Sequence, residues 1–211
     1  MVPSAALRDD GGNGLPTLES MVPPPTRILL ISGSLRAGST NTALLRTAQT
    51  LAPDGTIAVV YEGLGELPLF NPDDDTVPLH PAVADLRKQI SQADALLFST
   101  PEYAGALPGS FKNMLDWTVG GGETYGKPVA WVNASGSPTG AADAHRSLRT
   151  VLGYTGSGIV EEACAHIPVV RSAIGSDGLI ADDVVRQQIA DVMSALASDL
   201  QGRVQPPGPR G

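Results

Sequence analysis

Cysteine is nearly absent from this chain: Cys164 stands alone among 211 residues. A disulfide framework within the chain is therefore excluded, and so is a cysteine-rich metal centre. Basic residues are in deficit, with 14 Lys and Arg against 22 Asp and Glu and a formal net charge of −8. A dedicated nucleic-acid binder carries a basic face, and this balance speaks against one. Long apolar runs are missing too. The longest, such as Ile28–Ile31 and Ala95–Phe98, fall far short of the ~20 residues that a membrane-spanning helix needs. Residues 1–25 contain no apolar core of the kind a secretory signal has. A cytoplasmic protein without nucleic-acid or membrane partners is the expectation.

What is present fits one globular domain. Apolar residues make up 42% and charged residues 17% of the chain, and the length suffices for a full hydrophobic core. Residues 1–25, with Pro, Gly, Ser and acidic residues, are expected to be a disordered extension; Met21, just before Val22-Pro23-Pro24-Pro25, offers a second start. Residues 202–211, with three prolines and three glycines, read as a disordered tail. The domain should then occupy residues 26–201.

Inside it, short apolar runs alternate with helical periodicity. Arg27–Ser32 is continuously apolar up to Gly33 and reads as a strand buried on both faces. A helix follows over Ser39–Ala52, with Ser39 or Thr40 as the N-cap. Thr56–Tyr61 is a second strand, Gly63–Pro81 a long loop and Pro81–Gln92 a helix. Ala95–Ser99 is a third strand, and a helix over Leu107–Val119 begins near Pro108. Pro128–Asn133 is a fourth strand and Ala141–Leu152 a helix. Ile159–Ile167 is a less clear fifth strand, and Asp182–Leu200 closes the domain as a helix. Such alternation argues for an α/β fold: a flavodoxin-like three-layer sandwich with a five-stranded parallel sheet in the order 2-1-3-4-5. In that order ligands bind beyond the carboxyl ends of the strands, at the switch between the first and third. The loops after Ser32, Ser99 and Asn133 are therefore decisive.

The first of these, Gly33-Ser-Leu-Arg-Ala-Gly-Ser-Thr-Asn41, leads into a helix. Free amide N–H groups and the positive dipole end at a helix N-terminus suit a phosphate. Ser34, Ser39, Thr40 and Asn41 add short polar side chains, and Arg36 adds a guanidinium fork. A plain polar turn capped by Ser39 is the competing reading. The G-x-G-x-x-G dinucleotide pattern is absent, and no acidic residue stands out after the second strand. The second loop opens with Pro101-Glu102-Tyr103-Ala104-Gly105. Its backbone suits the polar edge of a flat heterocycle, and Tyr103 suits the ring face. The third, Ala134-Ser135-Gly136-Ser-Pro-Thr-Gly140, has small residues that permit close approach.

Gly-Ser-Leu-Arg with Ser39 and Asn41, then Pro101-Glu-Tyr, then Pro108-Gly with Lys112-Asn113 and Asp116-Trp117 together resemble the NAD(P)H-dependent FMN reductases, a family that includes chromate, quinone and azo-dye reductases. The resemblance covers about Arg27–Leu200. It implies non-covalent FMN, with Ser34, Arg36, Ser39 and Asn41 on the phosphate. Pro101, Glu102, Tyr103 and Gly105 would line the isoalloxazine, and Ser135 and Gly136 would complete the site. It also implies NAD(P)H as co-substrate, a ping-pong transfer to a small acceptor (quinone, azo compound, metal oxyanion or free flavin) and a homodimer or homotetramer. Two positions depart from the family pattern. Ala104 stands where Asn or His is common, and the third loop is poorer in glycine. The rival readings are a flavodoxin-type electron carrier and an FMN-binding sensory protein. Arg36 speaks against the carrier, whose phosphate loop typically lacks arginine.

Other signals are weaker. Gly121–Lys127 matches the first seven positions of a phosphate-binding P-loop, but Pro128 replaces the hydroxyl residue, and a strand follows where one should precede. It reads as a plain loop. Cys164 and His166 sit two apart without further ligands, so Cys164 reads as a buried strand thiol. His80 and His145 read as surface or cap residues. Asn133-Ala-Ser135 is a glycosylation pattern without a secretion signal. No G-x-S-x-G elbow of a hydrolase is present.

Overall fold

The computed structural model describes residues 24–204. The expected N-terminal extension before residue 24 and the tail after residue 204 lie outside them. Strands β1 (Thr26–Ser32), β2 (Thr56–Tyr61), β3 (Ala95–Ser99) and β4 (Pro128–Asn133) alternate with helices α1 (Thr40–Thr50), α2 (Pro81–Gln92), α3 (Gly109–Trp117) and α4 (Ala142–Tyr154). Two short strands, β5 (Gly158–Ile159) and β6 (Ala165–His166), precede helix α5 (Asp183–Val204). The sheet is parallel in the order β2-β1-β3-β4-β5, and β6 also pairs with β4.

The apolar runs form strands because both faces of the sheet are covered. Ile28 and Leu30 point to one side, with Leu97 and Val132, under α1 and α5. Leu29 and Ile31 point to the other, with Leu96 and Phe98, under α2, α3 and α4. The expected bounds of β2, β3, β4 and α2 are met residue for residue.

Two expectations change. The fifth strand is broken: a 3-10 turn over Glu161–Ala163 separates β5 from β6. That turn buries Ala163 and sends Glu161 outward, where Arg149 meets it. The closing helix also runs past Leu200 to Val204, so the first residues of the expected tail are helical. Arg203 pairs with Asp199 one turn back.

The long loop between β2 and α2 is tied down from α3. Asn113 Nδ2 and Trp117 Nε1 both donate to Pro68 O, at 2.9 and 2.8 Å, and Phe70 N–H donates to Asn113 Oδ1 at 2.7 Å. Asn113 and Trp117, quoted above for the resemblance, are thus structural residues. Gly121–Lys127 is a loop between α3 and β4, as expected.

Candidate functional site

Loops one, two and three leave the carboxyl ends of β1, β3 and β4, and β1 and β3 meet at the switch point of the sheet. The strands turn polar as they end: Ser32 and Ser99 stand opposite each other in register. Gly33 N–H donates to Ser99 O at 2.8 Å. A Cβ on Gly33 would lie 2.2 Å from Thr100 Oγ1, so only glycine lets the first and second loops lie this close.

The first loop folds on its own serines. Ser34 N–H donates to Ser32 Oγ and Arg36 N–H to Ser34 Oγ, both at 3.3 Å. Gly38, at φ +65°, turns the chain into α1. Ser39 takes the N-cap position and is buried, yet its hydroxyl caps nothing. That hydroxyl and the first-turn amides of α1, which Thr40 begins, remain for an anion. Arg36 is exposed and joins no salt bridge among the described residues. Asn41 is buried, and its Oδ1 accepts from Ser99 Oγ at 2.9 Å, which ties the start of α1 to the end of β3. Ser99 Oγ also lies 2.9 Å from Val132 O.

The second loop is a tight hairpin. Tyr103 N–H donates to Ala106 O at 3.0 Å, and Ala106 N–H donates back to Tyr103 O at 3.1 Å. Ala104 and Gly105 between them have φ of 52° and 71°. This is the primed two-residue turn that favours Asn-Gly. Ala104 tolerates the left-handed conformation only at a cost of roughly 1 kcal/mol. Tyr103 stands at the tip, 54% exposed, with its ring presented to solvent. Pro101 and Glu102 are half-buried. The Glu102 carboxylate reaches across to α4, where Oε2 accepts from Asp143 N–H at 2.9 Å and Ala144 N–H at 3.0 Å. Ala141, at the N-cap position of α4, is left-handed and supplies no cap of its own. Glu102 is therefore the cap of α4, and it joins the second loop to the end of the third.

The third loop is held from inside. Asn133 Nδ2 donates to Gly140 O at 2.8 Å, and Asn133 Oδ1 accepts from Ser135 N–H at 2.9 Å. His166 Nε2 lies 2.8 Å from Ser135 O and donates to it. Gly136 is exposed, with open space where a Cβ would be. All three loops leave the same edge of the sheet, and a concavity at the α1 N-terminus is lined by Ser34, Arg36, Gly38 and Ser39 of the first.

Burial shifts two of the residues noted in the sequence, His145 and Cys164. His145, read from sequence as a surface or cap residue, is buried on α4. Its Nδ1 lies 2.7 Å from Ala141 O, which can only accept, so Nδ1 carries the proton. Burial pushes its pKa below the ordinary histidine value, and His166 nearby adds in the same direction. His80 does cap α2, its Nδ1 accepting from Ala82 N–H. Cys164 is half-buried at the end of the 3-10 turn rather than inside a strand, and its S–H donates to Val160 O. Burial pushes the thiol up to about 11, so it stays protonated at neutral pH.

A family model described as NADPH-dependent FMN reductase matches residues 26–170. The chain belongs to this family. An NAD(P)H-dependent FMN reductase of Pseudomonas aeruginosa is 37% identical over 172 residues, covering 81% of this chain and 92% of the relative. A 2-hydroxy-1,4-benzoquinone reductase of a Burkholderia species is 33% identical over 181 residues, covering 84% and 97%. The solved structure of the flavoenzyme NAD(P)H:(acceptor) oxidoreductase of Paracoccus denitrificans superposes with a TM-score of 0.74 at 28% identity, covering 84% of this chain and 98% of that one. A flavodoxin-type WrbA-like protein of Agrobacterium tumefaciens, at TM-score 0.53 and 14% identity over 82% of this chain and 98% of that one, shares the fold. As a member of the FMN reductase family the protein is an NAD(P)H-dependent oxidoreductase. Sequence reading missed the cap role of Glu102.

Proposed function

We propose that the protein binds FMN across the three loops and passes reducing equivalents from NAD(P)H to a small acceptor, with quinones as the leading class. One observation carries this reading: the uncapped Ser39 hydroxyl and Arg36, which joins no salt bridge among the described residues, line one concavity at the N-terminus of α1. Ser34, Arg36, Ser39, Thr40 and Asn41 would hold the phosphate. Pro101, Glu102, Tyr103, Ala104 and Gly105 would border the ring on one side, and Ser135 and Gly136 on the other. Bound FMN supplies the hydride chemistry, so the protein needs no general base of its own. The nicotinamide and the acceptor would occupy the ring face in turn, a ping-pong order. Metal oxyanions, azo compounds and free flavin are the other acceptors in the same reading. Among the described residues no helix is long and apolar enough to cross a membrane. A cytoplasmic homodimer or homotetramer is part of the proposal. Tyr125 and Tyr154, both exposed beside a groove between α3 and α4, supply apolar surface for such contact.

The test is the visible spectrum of freshly purified protein before and after anaerobic NADPH or NADH, followed by turnover with a benzoquinone. Flavin bands that bleach, and quinone-dependent oxidation of the nucleotide, are expected. Bound flavin that neither nucleotide reduces would favour the carrier or sensory reading. Arg36→Ala should weaken FMN binding at least tenfold, because a charge-assisted contact contributes about 1.5–3 kcal/mol.

A further inference from the structure

The buried side of α4 carries one side chain that its register does not call for. His145 shares that side with Leu148 and Leu152 and is buried with them. Burial keeps its ring neutral near physiological pH, which leaves one N–H, and Ala141 O takes it. Nε2 is buried without a hydrogen-bond partner among the described residues. An unpartnered buried acceptor costs free energy, and an apolar side chain in this register would avoid that cost. A role as filler therefore does not account for the imidazole, whereas its one donor does.

That donor holds the joint between the third loop and α4. Ala141 O accepts both the backbone N–H of His145, at 3.0 Å, and its Nδ1–H, at 2.7 Å. Ala141 has φ 59° and ψ 14°, a left-handed conformation that a residue with a Cβ adopts only under constraint. Just before it, Gly140 O is held by Asn133 Nδ2. Just after it, the Asp143 and Ala144 amides donate to Glu102 Oε2. Glu102 of the second loop and His166, which braces Ser135 of the third, both lie within electrostatic reach of His145.

We propose that His145 is a positioning residue of the flavin site: by holding Ala141 left-handed it aims the Asp143 and Ala144 amides at Glu102 and so fixes the second loop against the bound ring. The inference rests on the reading of the three loops as the FMN site and adds a residue that lies outside all of them.

The experiment compares the wild type with His145→Leu, which has no donor, and His145→Asn, which keeps one for Ala141 O. In the flavin-free proteins, hydrogen exchange at the Asp143 and Ala144 amides should quicken roughly tenfold in His145→Leu and return toward wild type in His145→Asn. The dissociation constant for FMN is titrated where urea unfolding shows each protein fully folded. It should rise roughly tenfold in His145→Leu and by less than about threefold in His145→Asn. Added to Glu102→Ala, His145→Leu should weaken FMN binding no further, since both act through the same amides. An unchanged dissociation constant in His145→Leu, whatever its stability, would overturn the proposal. So would an asparagine variant no better than the leucine one, or losses that add in the double variant. If the wild type binds no FMN at all, the reading of the loops fails instead, and amide exchange alone decides whether His145 positions Glu102. Quickened exchange in His145→Leu supports that step, and wild-type exchange sinks it.

Discussion

Glu102 offers a sharp perturbation, because among the described residues its carboxylate is the one side-chain acceptor on the first amides of α4. Removing an N-cap costs about 0.5–2 kcal/mol, and hydrogen bonds to a charged group contribute about 1.5–3 kcal/mol. Glu102 is half-buried, so water replaces part of what is lost, and Glu102→Ala should destabilise the protein by about 2 kcal/mol. In a domain of this size that lowers Tm by roughly 4–8 °C. Glu102→Gln keeps an oxygen acceptor without the charge and should forfeit about half as much. Because Glu102 joins the second loop to α4, Glu102→Ala should also weaken FMN binding, by roughly tenfold. Urea unfolding of the flavin-free protein and FMN titration of the same variants measure both effects. The reasoning is refuted if Glu102→Ala unfolds within about 0.5 kcal/mol of wild type, or if the glutamine variant is as damaged as the alanine one.

Two further outcomes follow from the same region. Replacing Ala104 with Gly or Asn should stabilise the protein by about 1 kcal/mol, since both accept the left-handed turn more readily; unchanged urea midpoints would remove the strain argument. His145 makes stability depend on pH. Its folded pKa lies below the ordinary 6.5, so the unfolded chain takes up the proton first. The stability it contributes is complete above 6.5 and is lost as pH falls from there toward the lower folded value. Urea midpoints should hold between about pH 7 and 8 and decline below 6.5, and His145→Asn, which keeps a donor for Ala141 O, should flatten the decline. Identical slopes in the two proteins would rule His145 out as the cause.

The sheet was legible where burial on two faces leaves one kind of signal. Leu29 and Leu30 face opposite helix layers, so β1 is an unbroken apolar run, and β3 and β4 follow the same logic. The fifth strand lacked that signal because it is an edge, paired to β4 over only two residues at a time. The far end of α5 was hidden for a related reason: Gln201, Gly202 and Arg203 carry no apolar rhythm, and the last turn is held by the Arg203–Asp199 pair. His145 did leave a trace, since it shares the spacing of Leu148 and Leu152 on the buried side of α4. A lone polar residue in that register reads as surface until the packing is seen. The polar first loop was readable as a motif. The cap on α4 was not, because Glu102 acts on amides 41 and 42 residues further along the chain.

The broken strand beside β4 also shapes how the molecule meets others of its kind. An uninterrupted border of unpaired peptide groups is a template on which a second chain can add itself, and natural sheets defend against it with short steps and outward charges. Here the border advances two residues, turns aside through Glu161–Ala163 with Arg149 gripping Glu161, and advances two more. At that margin no neighbouring strand finds a run long enough to zip onto. Any contact between copies on this side of the molecule would fall to the helices, where side chains rather than backbone decide who fits.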